Sequence, residues 1–187
     1  YNITGYPTGI IDGRAKLPNY TDATVGANYL MYVVDETESS YPATTGIAFT
    51  STLDGRSLSV DLDLYIKKPD TYKITVLLLE DDIIAYQNGG GSNYEHDHVV
   101  RTALSSPTGD SIIVTDDNTI WTKNYQVEVP YSCELSNLRV LVYVQKPYGE
   151  QNVVQSVSGV EYGDFGGWYV DNCLSAKTGT TAELKYS

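Results

Sequence analysis

The densest run of potential metal ligands in the chain is Glu95–His96–Asp97–His98, and it holds both of the chain's histidines. In an extended strand successive side chains point to opposite faces, so His96 and His98 would share one side while Glu95 and Asp97 project to the other. Two imidazoles two residues apart hold a transition ion only if further ligands converge on it and an outer shell orients the rings. Asp116 and Asp117 are remote candidates, but no spacing aims them at this strand. The sequence therefore favours a structural role for both rings, hydrogen-bonded beneath the Gly-rich loop that precedes them. No tightly bound metal and no cofactor are expected, with His96 and His98 the candidates should a metal bind.

Other chemistry is thinly represented. Glu80, Asp81 and Asp82 separate two apolar stretches, where a solvated turn is the ordinary expectation. Asp61 and Asp63 alternate with apolar residues and so belong to an outer strand face. Acid–base pairs need two carboxylates placed across a cleft, a placement that no spacing in the sequence establishes, and no catalytic residue is assigned. There is no GxSxG elbow, and Cys133 and Cys173 stand alone rather than in a CxxC pair. The two thiols are expected to be free or paired with each other, with free favoured. Residues 88–92 (NGGGS) lack the Lys-Ser/Thr and helix of a phosphate loop. They read instead as a loop tip, a common place for ligand contacts. Asp116–Asp117–Asn118 is no EF-hand and offers calcium only weak binding. Residues 162–169 (YGDFGGWY) concentrate aromatics among glycines, which either closes a sandwich or stacks on sugar rings. The ligand-binding candidates are thus Asn88, Gly90, Tyr94, His96, His98, Tyr162 and Trp168.

A net charge of −12 and a pI near 4.4 disfavour nucleic acid and anionic lipid as partners. The aromatic content is 17 Tyr against 2 Phe and 2 Trp, a bias that suits half-buried sheet surfaces and binding faces. No apolar run approaches the roughly 20 residues of a membrane helix. The first residue is Tyr1, and the chain is expected to be a processed product or fragment whose membrane attachment, if any, is a lipid anchor outside it.

The elements that must position these residues follow a period of two. Leu58, Val60, Leu62, Leu64 and Ile66 alternate with Ser59, Asp61, Asp63 and Tyr65, giving a half-buried strand. Lys67–Lys68–Pro69–Asp70 breaks it, and residues 72–79 (YKITVLLL), apolar on both faces, are expected to be central and to pair with 58–66 as a hairpin. Further strands are expected at 27–34, 46–50, 83–87, 99–104, 112–114, 125–129, 138–145, 153–160 and 168–170. Turn clusters separate them, and no segment shows a sustained period of 3.6. This pattern predicts an all-β antiparallel sandwich, jelly-roll or Ig-like, of nine or ten strands over residues 23–187. Residues 1–22 form an N-terminal strand and linker. Their Gly5–Tyr6–Pro7–Thr8 resembles the cis-proline segment of thioredoxin-like proteins, so they are read as a short remnant of such a module with a cis Tyr6–Pro7 bond.

Several stretches taken together resemble one family. Residues 76–87 (VLLLEDDIIAYQ) are similar to its strand, acidic turn, strand and Gln pattern. Residues 93–104 (NYEHDHVVRTAL) are similar to its HxHxxR block, with Arg101, Ala103 and Leu104. Residues 124–129, 138–144 and 169–173 (YVDNC) resemble its later strands and its closing Asp-Asn segment. The chain is identified as resembling the Omp28-related outer-membrane proteins of Bacteroidetes, which often carry a thioredoxin-like module before the β-domain. Cys173 departs from the small residue expected there. The resemblance implies a bacterial cell-envelope protein, typically an outer-membrane lipoprotein, with no established reaction. The expected function is a non-catalytic cell-surface adhesion or interaction domain with an unknown protein or glycan partner. A carbohydrate-binding accessory module is the alternative, and a metal-dependent hydrolase at His96 and His98 the least favoured.

Overall fold

The alternation in residues 58–66 becomes the inner face of a two-sheet sandwich. A computed structural model describes residues 10–17, 23–148, 155–157, 160–163 and 167–185. Its elements are β1 (Ile10–Ile11), β2 (Ala15–Lys16), α1 (Ala23–Ser40), β3 (Thr45–Asp54), β4 (Ser57–Ile66), β5 (Asp70–Glu80), β6 (Ile83–Gln87), β7 (Gly91–His96), β8 (Val99–Ala103), β9 (Asp110–Val114), β10 (Thr119–Glu128), β11 (Leu138–Pro147), β12 (Gln155–Val157), β13 (Val160–Tyr162), β14 (Trp168–Lys177) and β15 (Thr181–Leu184). One sheet runs β10-β4-β3-β15. The other runs β14-β11-β5-β8, with β9 also paired to β5. Every ladder is antiparallel.

One apolar cluster fills the space between the sheets. Leu58, Val60, Leu62, Leu64 and Ile66 of β4 and Ile47 and Phe49 of β3 meet Ile74, Val76 and Leu78 of β5 and Val140, Val142 and Val144 of β11. Each such side chain, fully removed from water, contributes about 1.5–3 kcal/mol. The two-sided apolar stretch is central, as expected: β5 has β11 on one side and β8 and β9 on the other.

The expected hairpin of 58–66 with 72–79 does not form. β4 pairs with β3 and β10, whereas β5 lies in the opposite sheet. Lys67, Lys68 and Pro69 carry the chain across the sandwich. A crossover and a hairpin both need a polar, proline-bearing turn, so the local residues are the same for either. The deciding partners are remote: β5 takes Leu138–Gln145 of β11 as its neighbour.

The expected strand at 27–34 is part of helix α1. Among the helix side chains described, Val33 and Thr37, four residues apart, are the buried ones, while Asp35, which alternation would bury, is exposed. Val33 packs on Ala15, Leu17 and Ile11, a small second cluster. The Thr37 hydroxyl donates to the Val33 carbonyl at 2.7 Å, satisfying its buried hydrogen-bonding group within the helix. The expected strand at 153–160 is likewise replaced by β12 and β13. These pair with each other and with the β1–β2 hairpin in a small separate sheet. The Tyr6–Pro7 bond lies outside the described residues.

Candidate interaction surface

Glu80 ends β5 and is not a solvated turn residue: it is 4% exposed. Its Oε1 accepts the Glu134 N–H at 2.7 Å, and Arg101 Nη1 lies 3.2 Å from its Oε2. Arg101 also donates to Ser132 Oγ at 2.7 Å. Burial pushes the neighbouring Cys133 thiol up, Arg101 opposing and Glu80 adding to that shift. Cys133 is a buried free thiol and Cys173 an exposed one.

Beyond Glu80 the chain turns away to form the β6–β7 hairpin, which pairs with neither main sheet. Its base is closed by a reciprocal clasp. The Asp81 carboxylate accepts the His98 N–H at 2.9 Å, and the Asp97 carboxylate accepts the Asp82 N–H at 3.0 Å. Asp82 (φ 61°) and His98 (φ 56°) both take the left-handed conformation, a geometry that Asp, Asn and His tolerate better than most residues. The turn at the far end uses Gly89 (φ 83°) and Gly91 (φ 90°). Gly90 between them sits beneath the Tyr94 ring, where a Cβ would stand 2.5 Å from Cδ2.

This geometry corrects the reading of the two histidines. β7 ends at His96, and His98 lies past it in a left-handed turn, so the rings do not share a strand face. His96 makes an edge contact with Tyr94, with ring centroids 4.9 Å apart. The His98 ring is exposed, and its Nδ1 stands 3.8 Å from Asp81, too far to hydrogen-bond. The buried structural hydrogen bond expected of His98 is replaced by its backbone N–H in the clasp. Asp82, Glu95 and Asp97 are brought together instead, their carboxylate oxygens within 4.8 Å of one another. All three are exposed and form an acidic patch at the hairpin base.

The other candidates separate. Asn88 and Gly90 occupy the hairpin turn and Tyr94 its returning strand. Trp168 opens β14 beside Lys73, whose ammonium lies 4.0 Å over the indole ring. Lys73 and Glu80 are seven residues apart along β5, a span of about 23 Å, and the hairpin base follows Glu80. Tyr162 lies in β13; its side chain is outside what is described.

Sequence reasoning passed over Ile84 and Tyr86. They are 58% and 71% exposed on β6, and Tyr94, which pairs with Ala85 rather than with either of them, is 45% exposed on β7. The available signal was that residues 83–86 (IIAY) are apolar on both faces in a stretch flanked by polar turns. In a hairpin that stands outside both sheets, such a strand leaves one of those faces, here Ile84 and Tyr86, to solvent.

A nine-stranded antiparallel sandwich with a projecting hairpin defines the class of protein. The Omp28 outer membrane protein family matches over residues 1–162, and the chain belongs to that family. Membership places it among outer-membrane proteins of the bacterial envelope, in a family not known for enzymes. HBP35 of Porphyromonas gingivalis has a similar structure, with a TM-score of 0.69 at 17% identity. The likeness covers 95% of this chain and 54% of that one, so this chain spans about half that protein's length. None of the curated proteins matches. Among the described residues no helix is long and apolar enough to cross a membrane.

Proposed function

We propose that this chain is a non-catalytic interaction domain of an outer-membrane-associated lipoprotein, and that it docks partners through the β6–β7 hairpin. The observation that carries the reading is the exposure of Ile84, Tyr86 and Tyr94 on a two-stranded element that both main sheets leave unpaired. Aromatic and aliphatic anchors of this kind supply most of the binding energy at interfaces. Both outer edges of the hairpin carry unpaired backbone groups able to accept an added strand. Asp82, Glu95 and Asp97 at the base favour a partner with basic groups, in keeping with the net charge of −12.

The carbohydrate alternative needs the Gly-rich loop and the 162–169 aromatics in one platform. Trp168 stands far along β5 from the hairpin base, with one ring face covered by Lys73, which weighs against it.

Outer-membrane vesicles from the source organism, immobilised on a sensor, test the proposal. Wild-type protein is expected to bind saturably, and the triple variant Ile84→Ser, Tyr86→Ser, Tyr94→Ser to lose at least tenfold in affinity with its circular dichroism unchanged. Equal binding by the two proteins, or none by either, would overturn it. So would glycan-array binding abolished by Trp168→Ala.

A further inference from the structure

Arg14 sits in the tight turn between β1 and β2 and is only 8% exposed. Its guanidinium carbon lies over the rings of Tyr169 at 3.3 Å, Tyr41 at 3.9 Å and Tyr148 at 5.4 Å. Ring faces attract the charge, but they offer no lone pairs to the five N–H donors. Among the described residues no hydrogen bond or ion pair to this guanidinium is found. Buried guanidinium groups normally have acceptors, because leaving the donors without them is costly. Glu80 Oε2 is the one described side-chain polar atom sealed from solvent without a hydrogen-bond partner. The Arg14 donors therefore retain an opening.

That opening is a cavity of about 300 Å³ between the turn, α1 and β14, lined by Asp12, Arg14, Glu38, Tyr41, Cys173 and Lys185 among others. Its size is at the lower end for small-molecule sites. The chemistry is divided. Arg14 supplies a planar fork matched to a carboxylate, held in place by the rings. Asp12 and Glu38 add negative charge to the same wall. Burial raises the Asp12 carboxyl, Arg14 lowers it and Glu38 raises it further, so this carboxylate would gain from a cation brought beside it. A phosphate dianion would meet the Asp12, Glu38 and Asp171 carboxylates against Arg14 and Lys185; a group carrying both charges would satisfy both halves.

We infer that this cavity is a binding site for a small zwitterion of the amino-acid or dipeptide type, its carboxylate on Arg14 and its ammonium toward Asp12 and Glu38. The site lies apart from the β6–β7 hairpin and does not depend on the docking proposal.

The position of Cys173 gives a direct readout. It is exposed on the cavity wall, whereas Cys133 is buried and serves as an internal control. The intact chain is titrated calorimetrically with the twenty L-amino acids and dialanine. Acetate, methylammonium and inorganic phosphate are titrated separately, and iodoacetamide labelling of Cys173 is followed with and without each probe. At least one zwitterion is expected to bind saturably at millimolar concentration or below and to slow Cys173 labelling at least fivefold. Acetate and methylammonium should bind at least tenfold more weakly. Arg14→Lys, which keeps the charge but loses the fork, should weaken binding at least tenfold. Asp12→Asn and Glu38→Gln, conservative changes at the cavity wall, should each weaken it about fivefold. No binding by any zwitterion up to about 10 mM, a binding free energy weaker than about −3 kcal/mol, would overturn the inference. Stronger binding of phosphate, or binding indifferent to all three variants, would do the same.

Discussion

Arg101 and Glu80 show how a residue in a recognisable motif acts as a structural part. Glu80 is buried at the end of β5, and Arg101 at 3.2 Å is its counter-ion. Replacing one member of such a pair leaves the other charged and desolvated, at a cost of about 3–5 kcal/mol. Arg101→Leu is expected to lower unfolding stability by that amount in urea titration, and the double variant Arg101→Leu, Glu80→Leu to recover much of it. Asp110 works through polar contacts instead. Burial would raise its carboxyl, but donation from Lys123, the Ser106 N–H and the Tyr125 hydroxyl outweighs that and holds it below the usual carboxylate range. A depressed folded-state pKa contributes stability that is present above the unfolded value near 4 and lost as pH falls through the folded one. Asp110→Asn should therefore destabilise the protein at neutral pH and flatten the acid limb of its stability profile below about pH 4. An unchanged acid limb in urea melts between pH 2 and 7 would contradict this.

At the scale of elements, the Asp-Asn segment of β14 fastens one sheet to the other. Asp171 accepts from the backbone N–H and hydroxyl of both Thr44 and Thr45, at 2.6–3.1 Å, and Asn172 Nδ2 donates to the Thr45 carbonyl at 2.7 Å. These bonds hold the entry to β3 against the far sheet. Asp171→Asn keeps the shape but weakens charge-assisted acceptance at four donors, so a loss of about 1.5–3 kcal/mol is expected in chemical denaturation. Gly109 is a second fixed point. It is buried with φ 81°, and a Cβ there would stand 3.1 Å from Thr75 Oγ1 and 3.2 Å from Lys73 Cβ. Gly109→Ala combines backbone strain with that crowding and should destabilise by at least about 1–2 kcal/mol.

At the scale of the whole molecule, what the sequence made legible followed burial on one face. Strand β4 could be read because five apolar side chains alternate with Asp61 and Asp63, and the sandwich requires that alternation. Strand β5 could be read as central because both its faces are apolar. The β4–β5 connection and α1 could not be read, since each is decided by partners distant in sequence. Those partners are β11 for β5, and Ala15 and Leu17 for Val33. The hairpin was half legible. The acidic turn and the glycines were visible, but the left-handed turn at His98, which takes the two imidazoles off a shared strand face, depends on the clasp between residues 81–82 and 97–98.

Two buried tyrosines set the behaviour of the whole core in base. Burial, with the charges of Asp70 and Asp171, pushes Tyr72 up to about 12, and burial with Asp110 raises Tyr125 as well. Both hydroxyls stay protonated in the fold while the unfolded chain ionises near pH 10. Their contribution is complete below pH 10 and is lost as pH rises toward 12, so the melting temperature should fall steeply across that window. Tyr72→Phe should soften the fall.

The reading of the hairpin as a docking element separable from the sandwich is tested most directly by excision. Residues 83–96 are replaced by a two-residue Asn-Gly turn joining Asp82 to Asp97, and vesicle binding and urea unfolding are measured on the same preparation. The expected result is a sandwich that unfolds cooperatively, with its midpoint close to that of the wild type, and vesicle binding reduced at least tenfold. Vesicle binding retained at wild-type affinity by the excised protein would contradict the account.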